Sequence, residues 1–120
     1  MNRTVIFVYG TLKRGQINNA LLSGQQFLGP AKTMPLYRLY HLDWHPGMVV
    51  DKAKGIAIKG ELWSVDDNAL EKLDILEGVP IHFTRDFVAI ANHAGDVQGY
   101  LFAGEVPADA SSGDDWPFRS

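Results

Sequence analysis

The spacing of hydrophobic and polar positions changes several times along the chain, and each change marks an element. Val5, Ile6, Phe7 and Val8 form an unbroken run of β-branched and aromatic residues, the pattern of a strand buried on both faces. Gln26 to Thr33 reads as a strand interrupted by Gly29-Pro30, and therefore bent or at an edge. Leu36 to Leu42, with its two tyrosines, reads as another strand, and Asp43 to Gly47 as a turn punctuated by Pro46-Gly47. Gly55 to Val65 is the clearest long strand. Ile56, Ile58, Gly60, Leu62 and Ser64 fall on one face and Ala57, Lys59, Glu61, Trp63 and Val65 on the other, with a bend or bulge predicted at Gly60. Phe83 to Ala91 and Val97 to Ala103 form a hairpin across the turn-favouring Asn92 to Asp96.

Two stretches carry helical spacing instead. Gln16 to Leu22 makes one or two turns with Ile17, Leu21 and Leu22 inward, ended by Ser23-Gly24. Asp66 to Glu77 has firmer limits: Asp66 or Asp67 caps its start, Gly78 and Pro80 supply its stop, and Ala69, Leu70, Leu73 and Leu76 make its apolar stripe. About six strands with two short helices give an α+β class rather than an alternating one. Strands this numerous in a small chain curl, and a closed or partly closed barrel avoids exposed edges. The main domain is expected over residues 1–104. Residues 105–120 form an acidic, proline-broken tail whose order would come from docking of Trp116 and Phe118.

Composition narrows the function classes. The chain has 120 residues, 46% of them hydrophobic, enough for one core. Its 11 basic and 14 acidic residues leave a net charge of −3 with no basic block, which disfavours a nucleic-acid partner. The absence of cysteine excludes a disulfide framework, a thiolate metal site and a Cys nucleophile. The apolar run that ends at Gly10 is too short for a signal-peptide core or a membrane span, so a soluble, cytoplasmic protein is expected, with a monomer slightly favoured. His41 and His45 flank Asp43, but a turn gives them no shared face, and no metal is assigned. His82 reads as an exposed strand-end residue.

Candidate chemistry starts where the first strand ends, in YGTLKRG. Gly10 lets the backbone leave the strand sharply and lets a ligand approach main-chain N–H groups, while Thr11 adds a hydroxyl. Gly10 and Gly15 have the spacing of a phosphate-cradling loop, but Gln16 and Ile17 stand where that motif needs Lys and then Ser or Thr. Nucleotide binding thus loses its mechanism, while main-chain donors suited to a carboxylate remain. Lys13 and Arg14 are expected to face solvent.

The second candidate is Glu77, a carboxylate on the inward face of the second helix and in its last turn, where the helix dipole disfavours negative charge. Burial, the dipole and Asp74 would together raise its pKa, as suits a proton shuttle near neutral pH. The other reading of the same pattern is a frayed helix end, with Glu77 reaching water or pairing with Arg85.

With both pieces in view, FVYGTLKRG, then KGELWSVDDNALEKLDILEGVP, FTRDFVAI and QGYLFA, the chain resembles the gamma-glutamylcyclotransferase-like superfamily, in particular its gamma-glutamylamine cyclotransferase and AIG2-like branch. The matches run in order from Phe7 to about Ala103. The resemblance implies a small mixed β-barrel with helices packed outside, and an acyl-transfer reaction in which the α-amino group of a γ-glutamyl substrate attacks its own γ-carbonyl, releasing an amine and 5-oxoproline. It implies that Tyr9, Gly10, Thr11 and Leu12 bind the glutamyl end and that Glu77 is the acid/base. No cofactor is implied. The family often has a tyrosine where Phe83 stands, so any hydroxyl contact from that position is missing. Arg85 matches the family pattern, as catalytic support or, by preference, as a structural ion pair, and Tyr100 is a candidate pocket residue. The segment around Asp43 to Lys54 and the acidic tail are expected to shape the leaving-group side. A non-catalytic small-anion or metabolite binder of the same fold, and a lyase-like activity on a modified antibiotic or isopeptide, are the alternatives.

Overall fold

A computed structural model describes residues 2–43 and 45–118. Its elements are β1 (Arg3–Val8), a 3-10 turn (Asn19–Leu22), β2 (Gln26–Lys32), β3 (Tyr37–Leu42), β4 (His45–Val50), β5 (Lys59–Asp66), α1 (Asp67–Leu76), β6 (Phe83–Phe87), β7 (Gln98–Phe102) and β8 (Ser112–Gly113). The strands form one mixed sheet in the order β2-β5-β1-β7-β4-β3-β8, with β6 paired to β7 off that path. The sheet curls into a partly closed barrel: Tyr37 bridges to Ile56, Thr33 to Ile90, and the Lys59 N–H donates to the Asp114 carbonyl. The class and architecture are those expected, with two more strands.

The extra strands have physical causes. Pro46-Gly47 lies inside β4, which pairs with β3 from Tyr37↔Val50 to Leu42↔His45, so the turn does not extend into Pro46-Gly47. Asp43 sits at φ +52, a conformation Asp tolerates, while the expected turn's Trp44 lies outside the described residues. β8 forms because the tail returns over β3, matching Tyr40 with Ser112, and Trp116 is buried in the core beneath. The bulge expected at Gly60 is instead in β2, where the register with β5 shifts between Phe27 and Gly29. Gly60 is required for another reason: a Cβ there would lie 2.4 Å from the Val8 carbonyl oxygen.

β1 is buried on both faces towards its end, as its pattern predicts, and β5 is buried on both as well. Ile6, Val8, Trp63 and Val65 pack with Leu70, Leu73, Phe83 and Tyr100 on the α1 side of the sheet. Phe7, Tyr9, Ile58 and Leu62 pack with Leu39, Met48 and Trp116 inside the barrel. Three inward assignments fail. Ile17 is 82% exposed and Leu21 lies at the surface, because this stretch makes only a 3-10 turn and a single residue, Leu22, reaches the core. Leu76 is also largely exposed, since α1 ends there and the inward direction passes to Glu77. At the other end Asp66 caps α1, accepting from the Ala69 N–H at 2.8 Å. No described helix is long and apolar enough to cross a membrane.

The position of the site follows from β7. β6 runs along one edge of β7 for its whole length, so β1 and β4 must share the other edge. β1 takes Gln98 and Gly99 and β4 takes Leu101, both in parallel. Between them, at Tyr100, neither strand pairs with β7, and the loop that follows β1 starts just beyond Val8. The gap this leaves opens as a cleft.

Candidate active site

The cleft is lined by Phe7 to Leu12, His45 and Pro46 of β4, Glu77, Phe83 and Tyr100. It therefore brings together Tyr9, Gly10, Thr11, Leu12, Glu77 and Tyr100, while Arg85 stands behind it. Its cavity is about 60 Å³, well below the several hundred Å³ of typical drug-sized pockets. A cavity of that size encloses only a small end of a ligand. No Lys or Arg is among the described lining residues, so an anion here must be met by main-chain N–H groups.

The loop is built to offer them. The Gly10 carbonyl accepts from the Lys13 N–H, the Thr11 carbonyl from the Asn18 N–H, the Leu12 carbonyl from the Asn19 side-chain amide and the Lys13 carbonyl from the Gln16 N–H, all between 2.9 and 3.1 Å. Among the described residues, no hydrogen bond uses the N–H groups of Gly10, Thr11 or Leu12. Successive main-chain donors with their carbonyls tied back make a concavity suited to a carboxylate or an oxyanion. The Asn18 side-chain amide also donates to the Thr11 hydroxyl at 3.0 Å. Gly10 cannot carry a side chain, because a Cβ would lie 2.5 Å from Pro46 Cγ, a ring atom with no freedom to swing away.

Arg14 faces solvent as expected, with its side chain 57% exposed, but Lys13 does not. The Lys13 side chain is only 13% exposed, pairing with Asp115 at 3.0 Å and donating to the Trp116 carbonyl. The Arg14 N–H donates to Glu61 at 3.0 Å, and its guanidinium stacks 3.8 Å over the Phe27 ring. Glu61, a buried acid, also accepts from Trp63 Nε1 at 3.2 Å. Its anchoring role was available in the strand pattern, where an acid alternates with Trp63 and Val65 on what proves to be a buried face. Asn18 and Asn19 gave no such signal, since their side-chain partners, the Thr11 hydroxyl and the Leu12 carbonyl, meet them only once the loop has folded back.

Tyr9 fills the seam between β7 and β4. Its hydroxyl donates to the Tyr100 carbonyl at 2.6 Å and accepts from the Met48 N–H at 3.2 Å. Burial, with a contribution from the Glu77 charge, pushes its pKa up, so it stays a neutral positioning group.

Glu77 is the C-cap of α1, in αR conformation and half-buried, with Gly78 at φ +65 ending the helix behind it. Burial pushes its carboxyl up to about 7. Asp74, expected to contribute, has its charge engaged elsewhere: it binds Arg85 Nε and Nη2 at 2.9 and 3.1 Å and accepts from the Tyr100 hydroxyl at 2.7 Å. Arg85 also donates to Gln98, so the pairing of Glu77 with Arg85 does not occur. Burial, then the Asp74 hydrogen bond, holds the Tyr100 hydroxyl well above its ordinary range.

The remaining candidates separate. His41 accepts from Trp116 Nε1 at 3.3 Å, while His45 lies in the cleft with its ring 5.9 Å from that of Phe83. Phe83 lines the cleft as a buried ring with no hydroxyl to offer. His82 is exposed beside Gly78. The tail does not line the cleft; Asp114, Asp115 and Phe118 border a separate hollow with Lys59.

The family model described as "Gamma-glutamyl cyclotransferase, AIG2-like" matches residues 6–118. A Vibrio cholerae protein provisionally named a gamma-glutamylcyclotransferase is 42% identical over 70% of this chain and 70% of its own length. The gamma-glutamylaminecyclotransferase of Rattus norvegicus is 37% identical over 67% of this chain and 58% of its own. A solved structure of an AIG2-like protein from Mus musculus superposes with a TM-score of 0.86, covering 97% of this chain and 89% of that one at 24% identity, a likeness of fold.

Proposed function

Since the chain belongs to the gamma-glutamyl cyclotransferase, AIG2-like family, we propose that it cyclises a γ-glutamyl group to 5-oxoproline and releases an amine, with Glu77 as general acid and base. The observation that carries this reading is a single cleft holding the N–H groups of Gly10 to Leu12, a cavity of small-acyl size, and a carboxyl raised to about 7.

The substrate's α-carboxylate or its developing oxyanion takes the main-chain donors, which fixes the chain for ring closure. The α-amino group arrives as an ammonium and cannot attack in that form. Glu77, ionised in about half the molecules near pH 7, accepts a proton from it. The freed amine adds to the γ-carbonyl carbon, the protonated Glu77 gives its proton to the leaving nitrogen as the C–N bond breaks and the carbonyl re-forms, and Glu77 then relays the second proton from the ring nitrogen to the released amine, which departs as an ammonium. Atoms and charge balance without any further reactant. Tyr9 and Tyr100 hold the wall and keep their protons throughout. His45 and Pro46, on the β4 side, are the residues placed to meet the leaving group.

The test is a panel of γ-glutamyl amines and γ-glutamyl amino acids, assayed for 5-oxoproline, with wild type beside E77Q. Release by the wild type and not by E77Q supports the reading. Retained binding of γ-glutamyl compounds with no product from either protein transfers the site to the alternative, a non-catalytic binder of small anions. Native-rate release by E77Q sinks the assignment of Glu77.

A further inference from the structure

Asp74 and Arg85 form a bidentate pair directly behind the cleft, and Tyr100 ties that pair to the cleft wall through its hydroxyl. Asp74 lies three residues before Glu77 on the same helix, so the two carboxyls are neighbours one turn apart. Arg85 pairs in register with Tyr100 across β6 and β7, which places a fixed positive charge on the same wall. A cation on the same wall as a buried carboxyl would, if uncompensated, favour its ionised form.

We propose that Asp74 and Arg85 are positioning residues: held together behind Tyr100, their charges cancel, so that neither sets the charge state of Glu77. The pair is part-buried, with side chains 25% and 28% exposed, and its two parallel contacts make it the strong form of ion pair. The other charged and titratable groups around Glu77 do not replace it. Tyr9 at the end of β1 and Tyr100 on β7 remain neutral, His45 faces the cleft from β4, and His82 is exposed beyond Gly78. Lys13 and Arg14 of the loop are turned to Asp115 and Glu61. Burial is correspondingly the cause of the raised Glu77 carboxyl.

The catalytic consequence rests on the cyclisation reading, but the inference itself concerns the free protein. Its test is therefore an NMR titration of the Glu77 carboxyl carbon without substrate, in protein labelled at glutamate and assigned by difference with E77Q. D74N leaves Arg85 uncompensated and should lower the Glu77 midpoint by about one unit or more. R85Q leaves Asp74 uncompensated and should raise it by a similar amount, an arm that survives if D74N folds poorly. In D74N/R85Q the midpoint should return close to that of the wild type. An unmoved midpoint in either single variant, or a double variant as displaced as D74N, overturns the inference. A midpoint that moves as expected in a protein that releases no 5-oxoproline upholds it and removes the cyclisation reading instead.

Discussion

The two halves of the cleft are held in opposite ways. The loop from Tyr9 to Gly15 is fixed by hydrogen bonds at nearly every residue, through Asn18, Asn19, Glu61 and Lys13, and its useful groups are main-chain N–H donors that cannot be mutated away. Glu77 is held by its place at the end of α1, and its useful property is the cost of burying its charge. On the cyclisation reading, the donor half is thus tuned by geometry and the proton-transfer half by environment. Substitutions in the first should change how substrate sits, and substitutions around the second should change when a proton moves.

The largest break in that contrast is E77Q. Removing the proton carrier while keeping the donor loop should reduce 5-oxoproline release by about 10³-fold, with binding of a γ-glutamyl compound retained in calorimetry. Next is G10A. A Cβ 2.5 Å from Pro46 Cγ must push the loop and β4 apart, and a displacement near 1 Å is expected to lower kcat/KM by about 10–100-fold, while the pH dependence keeps its midpoint.

A smaller effect sharpens the environmental half. Glu77 is raised from 4.5 to about 7, so between those values the folded protein holds a proton that the unfolded chain has released. The sign follows: stability from this group is full below about pH 4.5 and is lost as pH rises through about 7. Urea unfolding at pH 5 and pH 8 should differ by on the order of 2 kcal/mol from this source, and E77Q should lack that difference. The smallest expected effect is N19A, which frees the Leu12 carbonyl held at 2.9 Å. The loss of one neutral hydrogen bond, about 1 kcal/mol, should raise KM by about fivefold and leave kcat unchanged.

How far the sequence made this legible follows the range of the forces involved. Val5 to Val8 and Gly55 to Val65 announced buried strands because alternation and apolar runs report burial directly. Asp66 and Gly78 announced the limits of α1 because caps are local chemistry. Glu77 was legible as an acid where a leucine belonged. What stayed hidden depends on distant partners. Pro46 reads as a turn residue until β3 is beside it, and Ser112-Gly113 is a strand only because β3 offers an edge. Lys13 reads as a solvated cation until the tail comes back to it. The same limit explains Asp74, which the pattern placed near Glu77 but could not pair with Arg85, eleven positions on.

Tyr9 carries one more consequence. The Tyr100 carbonyl and the Met48 N–H that it bridges are the kind of backbone pair that an added strand would claim. A single phenol occupies both, as a side-chain rung in an otherwise main-chain ladder. The floor of the cleft is therefore sealed against an extended peptide laying itself along β7. Whatever enters must come end-on, presenting a terminus of the ligand rather than its length, so that selection acts first on the ligand's head and only afterwards on what trails from it.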